Sequence, residues 1–316
     1  IYSNPFAKVP VGRVRYGLML REDGICYDDG TTARLAEDHF VMTTTTANAV
    51  LVYRNMEFAR QCLFPNLDVH LISTTDQWAQ FAIAGPNSRA VLSKIIDKVD
   101  MSNDGFPFMA CSNVTVCGGT PGRLFRISFS GELAYEVAVP VRYGDALIRE
   151  IIKAGEEFDI TPYGTEALGV MRIEKGHVTG AELNGQVTAF NVNMNNMIST
   201  KKDSIGSVLS RREMMIADDQ VRLVGVKTVE ISDSLASGAH FVAKGEKPTT
   251  KNDQGWVASV CYSPHFEQHI GLGFLERGHE RHGEIIRAWD GVRGTDILVE
   301  IVSAHMYDPE GGLQRG

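Results

Sequence analysis

The sequence predicts an α+β fold that ends in a small all-β part. Runs with period-two alternation come in neighbouring pairs, separated by turn residues rather than regularly by helices. Amphipathic stretches of helical period lie between these pairs, at residues 47–62, 143–158 and 165–174. From about residue 221 onward, short strand-like runs are parted by Gly, Pro, Asn and Asp clusters with little helix, as in a small antiparallel barrel or sandwich. The division is placed at residues 205/206, giving regions 1–205 and 206–316.

Residues 14–22 alternate as a strand, and Asp23-Gly24 turns into a second strand running through Asp28. Residues 39–46 form a threonine-rich third strand. The period then changes: Ala49, Val52, Tyr53, Met56 and Ala59 share one helical face, and Pro65-Asn66 closes the unit. Residues 69–73 and 78–84 read as strands. After Gly85-Pro86, Asn87 stands where it would cap a helix over 88–96. Residues 123–128 and 134–139 read as a hairpin around Ser130-Gly131-Glu132. Strands are expected at 222–231, 256–262, 270–274 and 297–302.

Acidic residues outnumber basic ones 39 to 31, for a net charge of −8, and the basic clusters are only dipeptides, which argues against a nucleic-acid partner. The five cysteines are odd in number and form no Cys-x-x-Cys pair, so neither a disulfide framework nor a zinc knuckle is indicated and a cytoplasmic setting is expected. No apolar run approaches the ~20 residues that span a bilayer, so no membrane association is expected. The first residue is Ile1, and the chain is expected to be a piece of something longer.

Several residues invite a chemical reading, each beside a plainer one. Asp28 and Asp29 are adjacent carboxylates; if partly buried, one holds its proton more tightly and can exchange it with an amine. Asp29-Gly30 is equally a turn dipeptide. Alternation places Glu136 on the face of Ala134 and Ala138, which leaves room for a flat ligand with paired N–H donors, or puts Glu136 simply in solvent. Thr43 and Thr45 supply hydroxyls or merely strand propensity. Tyr16 and Phe129, near expected strand centres, pack in a core or stack on a ring. His265/His269 and His279/His282 lack completing ligands, so no metal site is expected.

The order of short runs resembles a family. Tyr16-Gly17-Leu18-Met19-Leu20, Asp28-Asp29, Ile83-Ala84-Gly85-Pro86-Asn87 and Gly131-Glu132-Leu133-Ala134-Tyr135-Glu136 resemble the glycine-cleavage aminomethyltransferase (T-protein, GcvT-like) family. Tyr262-Ser263-Pro264 and Ile270-Gly271-Leu272 look like its terminal domain. Asp76-Gln77-Trp78, the run from Arg172 to His177, Glu182-Leu183-Asn184-Gly185 and the run from Lys201 to Gly206 are similar to the alpha subunits of heterotetrameric sarcosine oxidases.

The resemblance implies a cloverleaf of subdomains around a tetrahydrofolate site, followed by a small antiparallel β-barrel. It implies Asp29 as the catalytic carboxylate and Glu136 as the pterin anchor, with Tyr16, Thr43, Thr45 and Phe129 lining the pocket. It further implies an enzyme of one-carbon metabolism, part oxidoreductase and part transferase. A flavin-bearing beta subunit would oxidise sarcosine to an imine, and 5,10-methylenetetrahydrofolate would form at this chain's site; flavin would enter only through that partner. In the aminomethyltransferases an arginine commonly stands where Leu168 stands here, which favours the oxidase branch. A free-standing aminomethyltransferase or demethylase, and a non-catalytic scaffold that binds partners, are the competing readings.

Overall fold

The structure, a computed structural model, describes residues 1–316. Three antiparallel sheets organise the chain. The first is formed by β1 (Arg13–Leu20), β2 (Cys26–Arg34) and β3 (Phe40–Met42), in that order. Helix α1 (Ala49–Phe58) follows and is continued by a π-helical turn over Ala59–Leu63.

The second sheet contains β4 (Trp78–Ala84), β5 (Ile96–Asp97), β6 (Cys111–Val116), β7 (Thr120–Phe125) and β8 (Ala134–Pro140), in the order β4-β8-β7-β6-β5. Helices α2 (Ser88–Ser93) and α3 (Gly144–Gly155) cover one face of it. Ile83, Leu124, Tyr135, Val137 and Val139 point into that core with Leu92, Leu147 and Ile151. Period-two alternation therefore leaves Glu136, Ala134 and Ala138 on the other face, as the sequence indicated.

Helix α4 (Thr165–Lys175) packs on the remaining sheet, a barrel closed in the order β10-β11-β12-β9-β14-β13. Its strands are β9 (Val221–Thr228), β10 (His240–Val242), β11 (Asp253–Ser263), β12 (Gln268–Glu276), β13 (Ile285–Asp290) and β14 (Thr295–Val302). Closure removes the free edges that an open sheet of this size would present. A second core joins β1 and β2 to α4 and the outside of the barrel, through Leu18, Leu20, Ile173, Val178, Leu223 and Phe274. No helix is long and apolar enough to cross a membrane.

Local expectations differ from the structure at several places: the second strand, expected to run through Asp28, continues to Arg34, and β6, β10 and β13 were not expected. Residues 69–73 join no sheet, and Val69 and Ile72 remain exposed. The third strand stops at Met42, so the threonines beyond it lie outside the ladder. Asn87 makes no side-chain cap to α2, which ends at Ser93. Phe129 lies in the loop between β7 and β8, not within a strand.

Candidate functional site

The β1–β2 pair sets one pole of the site. Leu18 lies opposite Asp29 and Tyr16 opposite Thr31, so Tyr16 and Asp29 are diagonal neighbours on one face of the ribbon. The Tyr16 hydroxyl donates to Asp29 Oδ2 at 2.7 Å, and Thr45 Oγ1 donates to Asp29 Oδ1 at 3.4 Å. Met194 Sδ lies 4.0 Å from the same Tyr16 oxygen. Thr43 joins one step away: its Oγ1 is 2.9 Å from Thr31 Oγ1 and accepts from Thr31 N at 3.0 Å.

Asp29-Gly30 is not a turn; it lies inside β2. Glycine at 30 has a steric cause, because a Cβ there would overlap the Thr43 carbonyl. That close approach brings the threonine segment against the ribbon beside Asp29.

The two aspartates divide their work. Asp28 is buried; it accepts from Thr45 N at 3.2 Å and from Asn48 Nδ2 at 3.1 Å. It thus anchors the backbone leading into α1. Asp29 keeps part of its surface open. Burial pushes its carboxyl above the usual carboxylate range and the charge of Asp28 adds to this, while the Tyr16 and Thr45 hydroxyls oppose it. Burial, rather than the neighbouring charge, is the main cause. Burial also pushes the Tyr16 phenol well up, with the Asp29 charge adding to it, so Tyr16 stays a hydrogen-bond donor at neutral pH.

Glu136 forms a separate group, on β8 between Ala82 of β4 and Phe125 of β7. Gln80, two residues along β4, donates its amide to the Glu136 carboxylate. Glu136 retains some open surface, yet the surrounding protein pushes its carboxyl up to about 7, against the Gln80 hydrogen bond. Burial, and then the charge of Glu136, push the Tyr163 phenol up, which places Tyr163 in the same field.

Phe129 is 40% exposed and stacks on His177, with ring centroids 5.8 Å apart. His177 Nδ1 lies 2.9 Å from the Phe129 carbonyl; a carbonyl only accepts, so Nδ1 carries the proton. Burial holds the imidazole pKa below its ordinary value, and the charges of Lys175, His305 and Arg172 act in the same direction. Gly176, in the left-handed conformation after α4, turns the chain into His177; a side chain there would strike the Ala304 carbonyl.

Hydrogen bonds thus join Tyr16, Asp29 and Thr45 directly and bring Thr43 against the same ribbon. Glu136 and Phe129 belong to two further groups, with no direct bond to the first. Gln80, Tyr163, His177 and Met194 were not singled out from sequence. Each meets its partner across a long chain separation, and only the Gln80–Glu136 pair follows from strand alternation once the β4–β8 pairing is known.

Comparison with known proteins gives two family matches: the GCVT N-terminal domain over residues 1–202 and the glycine cleavage T-protein C-terminal barrel domain over residues 222–308. The chain is 48% identical to sarcosine oxidase subunit alpha of Rhizobium meliloti (strain 1021), over 98% of this chain and 32% of that protein. It is 41% identical to the protein of the same name from Corynebacterium sp. (strain P-1), over 100% and 33%. It therefore spans about a third of the length of these relatives. An aminomethyltransferase of Geobacillus sp. (strain WCH70) is 26% identical, over 96% of this chain and 80% of that one. The fold matches the glycine cleavage system aminomethyltransferase T of Bartonella henselae with a TM-score of 0.81 at 19% identity, covering 98% of this chain and 80% of that one.

Proposed function

Because the chain belongs to the glycine cleavage T-protein family, we propose that it binds tetrahydrofolate and carries the one-carbon transfer step of a sarcosine-oxidase-type assembly. The observation that carries this reading is the half-buried Asp29 carboxylate, held by the hydroxyls of Tyr16 and Thr45 on a face that stays partly open.

The residues present fit a reduced pterin. Glu136 offers a partly open carboxylate edge for paired N–H donors, and the exposed Ala82 opposite it on β4 leaves a flat ring room on that side. Phe129 presents an exposed aromatic face. Tetrahydrofolate, when bound, supplies the nucleophilic amines that take up the one-carbon unit.

The chain's own part is to orient and to move a proton. Each Asp29 oxygen accepts one hydroxyl and keeps a lone pair free, so the carboxylate can take a proton from an amine without losing its position. A carboxyl raised above the usual range is also a better proton acceptor at neutral pH than a fully solvated one. Asp28 takes no part in the chemistry; it keeps Thr45 in place.

The relatives at 41% and 48% identity support the oxidase setting over a free-standing aminomethyltransferase, whose relative here is 26% identical. In that setting a flavin-bearing partner subunit oxidises sarcosine to an imine, and this chain turns the one-carbon unit into 5,10-methylenetetrahydrofolate. Calorimetric titration with tetrahydrofolate tests the binding; wild-type heat retained in Asp29→Asn/Glu136→Gln would place the ligand elsewhere. Copurification with a flavoprotein subunit tests the setting, and folate-coupled turnover by the chain without any flavoprotein would favour the free-standing enzyme.

A further inference from the structure

The segment that leaves β14 at Val302 passes the end of α4 and then meets the loop that carries Phe129. His305 Nδ1 donates to the Lys175 carbonyl at 3.0 Å, and Tyr307 N donates to the Glu174 carbonyl at 2.9 Å. Both are carbonyls that the last turn of a helix cannot satisfy internally. Asp308, itself in the left-handed conformation, comes next. Its carboxylate accepts from Lys175 Nζ at 2.8 Å, from Gly312 N at 2.9 Å and from Leu313 N at 3.2 Å. One side chain thus ties the segment to α4 and starts the short helical turn over Gly312–Arg315.

The loop between β7 and β8 touches this assembly at both of its ends. At the start, Arg126 is fully buried, and every acceptor of its guanidinium is neutral: Asn103 Oδ1 at 2.7 Å, the Phe106 carbonyl at 2.8 Å and the Arg315 carbonyl at 2.5 Å. A buried cation with no carboxylate depends on each such acceptor. Asn103 also donates to the Gly316 carbonyl, and a Cβ on Gly316 would come within 3.0 Å of both Arg126 Nη2 and Leu133 Cδ1. At the far end, the Lys175 stem lies against Gly131, where a Cβ would be 2.8 Å from Lys175 Cδ. Burial, and then the charge of Glu132, push the Tyr307 phenol up, which places Tyr307 in the field of the same loop.

We infer that residues 304–316 clamp the Phe129 loop, with Asp308 and Lys175 as positioning residues for the aromatic wall of the site. The consequence for the ligand rests on the folate reading above. Phe129, in the middle of the loop, is exposed and stacks on His177, which also binds its carbonyl. Gly176, which turns the chain into His177, lies against Ala304 and His305. The same segment therefore supports both partners of the stack. The Lys175 and Asp308 side chains are only 6% and 16% exposed, so their pair is not of the solvated kind that contributes little. Neither touches the ligand in this reading; both act through Phe129.

The test has two arms. In the first, amide hydrogen exchange is followed without ligand. Asp308→Ala is expected to speed exchange in residues 127–132 by about tenfold or more, the effect of losing a hydrogen bond to a charged group, while strands β9 to β14 exchange as in wild type. Lys175→Met, which keeps the stem against Gly131, should do the same and decides the matter if Asp308→Ala does not fold. In the second arm, calorimetry with tetrahydrofolate should show Asp308→Ala weakened about two- to tenfold, the worth of one aromatic contact. In a Phe129→Ala background the same substitution should add nothing, since the two changes remove one interaction. Loop exchange unchanged in both variants would overturn the clamp. An equal loss of affinity with and without Phe129 would overturn its action through that ring. Failure of the wild-type protein to bind tetrahydrofolate would remove the folate reading, and the exchange arm would still decide the clamp.

Discussion

Tyr16 and Asp29 meet through a 2.7 Å hydrogen bond that crosses the β1–β2 ribbon diagonally rather than between directly opposed residues. The diagonal distance in an antiparallel pair is about 7–8 Å, which an aromatic side chain can span and a short hydroxyl cannot. Tyrosine at 16 therefore reaches the carboxylate from two residues away. The directly opposed Leu18 is fully buried and belongs to the core against α4 and the barrel. One ribbon thus has a core role and a site role at adjacent rungs.

Tyr16→Phe removes one of the two hydroxyls that stabilise ionised Asp29. Asp29 already sits above the usual carboxylate range, so its pKa should rise further, by about one unit for a hydrogen bond of about 1–1.5 kcal/mol. If the ionised form is the proton acceptor, the acid limb of kcat/KM moves to higher pH while the plateau changes less. Thr45→Val should move it less, because its bond is 3.4 Å. An acid limb unmoved in Tyr16→Phe would separate Asp29 from the rate.

Asp29→Asn keeps the shape that accepts Tyr16 and Thr45 but cannot take a proton. Folate-coupled product formation in the assembled enzyme should fall about 10²–10⁴-fold with little change in melting temperature. Asp28→Ala should show the reverse emphasis. It strands the Thr45 amide and the Asn48 side chain, at about 1–3 kcal/mol of stability. Equal rate losses in the two variants would refute this division.

These contrasts show how far the pattern of residues could be read. Alternation over residues 134–138 placed Glu136 opposite the core face, because the large apolar side chains Tyr135, Val137 and Val139 all fall on the other side. The β1–β2 ribbon was legible for the same reason. Residues 69–73 have equally good strand character but no partner in the chain, and pattern alone specifies a face, not a neighbour. The threonines after Met42 have strong β-propensity, yet the close backbone approach at Gly30 and the Asp28 anchor take them out of the ladder. Asp28 and Asp29 were adjacent in sequence; only the fold gives one to the backbone and the other to the open face. His177 was visible only as part of a family-like run, since its partner Phe129 is 48 residues away in an irregular loop.

Glu136 gives a pH test of its own. Its ordinary value is 4.5 and its folded value about 7, so the folded chain holds this proton more tightly than the unfolded one. Stability contributed by this group is full below about 4.5 and is lost as pH rises through about 7. Glu136→Gln, which has no charge to bury, should therefore exceed wild type in urea midpoint above pH 7, with the gap closing toward pH 4.5. The same variant should bind tetrahydrofolate more weakly by about 1.5–3 kcal/mol, the worth of a hydrogen bond to a charged group. A gap that is constant with pH would mean that Glu136 is fully solvated, and unchanged affinity would end its role as anchor.

The last expectation concerns how α4 is tied to the barrel. Glu182 is fully buried and accepts from Arg172 Nη1 at 2.9 Å, Thr179 N at 2.8 Å and Ser259 Oγ at 2.5 Å. Arg172 Nη2 in turn donates to Ser259 Oγ at 2.6 Å, so the hydroxyl of β11 accepts from the cation and donates to the anion. A charge pair buried this way adds little net stability while intact, but deleting one partner strands the other in a low-dielectric seam, at about 3–5 kcal/mol. Glu182→Ala should therefore lower the unfolding free energy by that amount. Ser259→Ala should cost about 1–3 kcal/mol, because the Arg172–Glu182 bond persists. Arg172 lies on the same turn of chain that ends in Gly176 and His177, so loosening it should also release the Phe129–His177 stack and weaken folate binding. Urea titration and calorimetry on the same preparations decide the matter. A loss below about 1 kcal/mol in Glu182→Ala would mean that water reaches the seam, and full folate affinity in a strongly destabilised Glu182→Ala would mean that α4 and the Phe129 loop are not coupled.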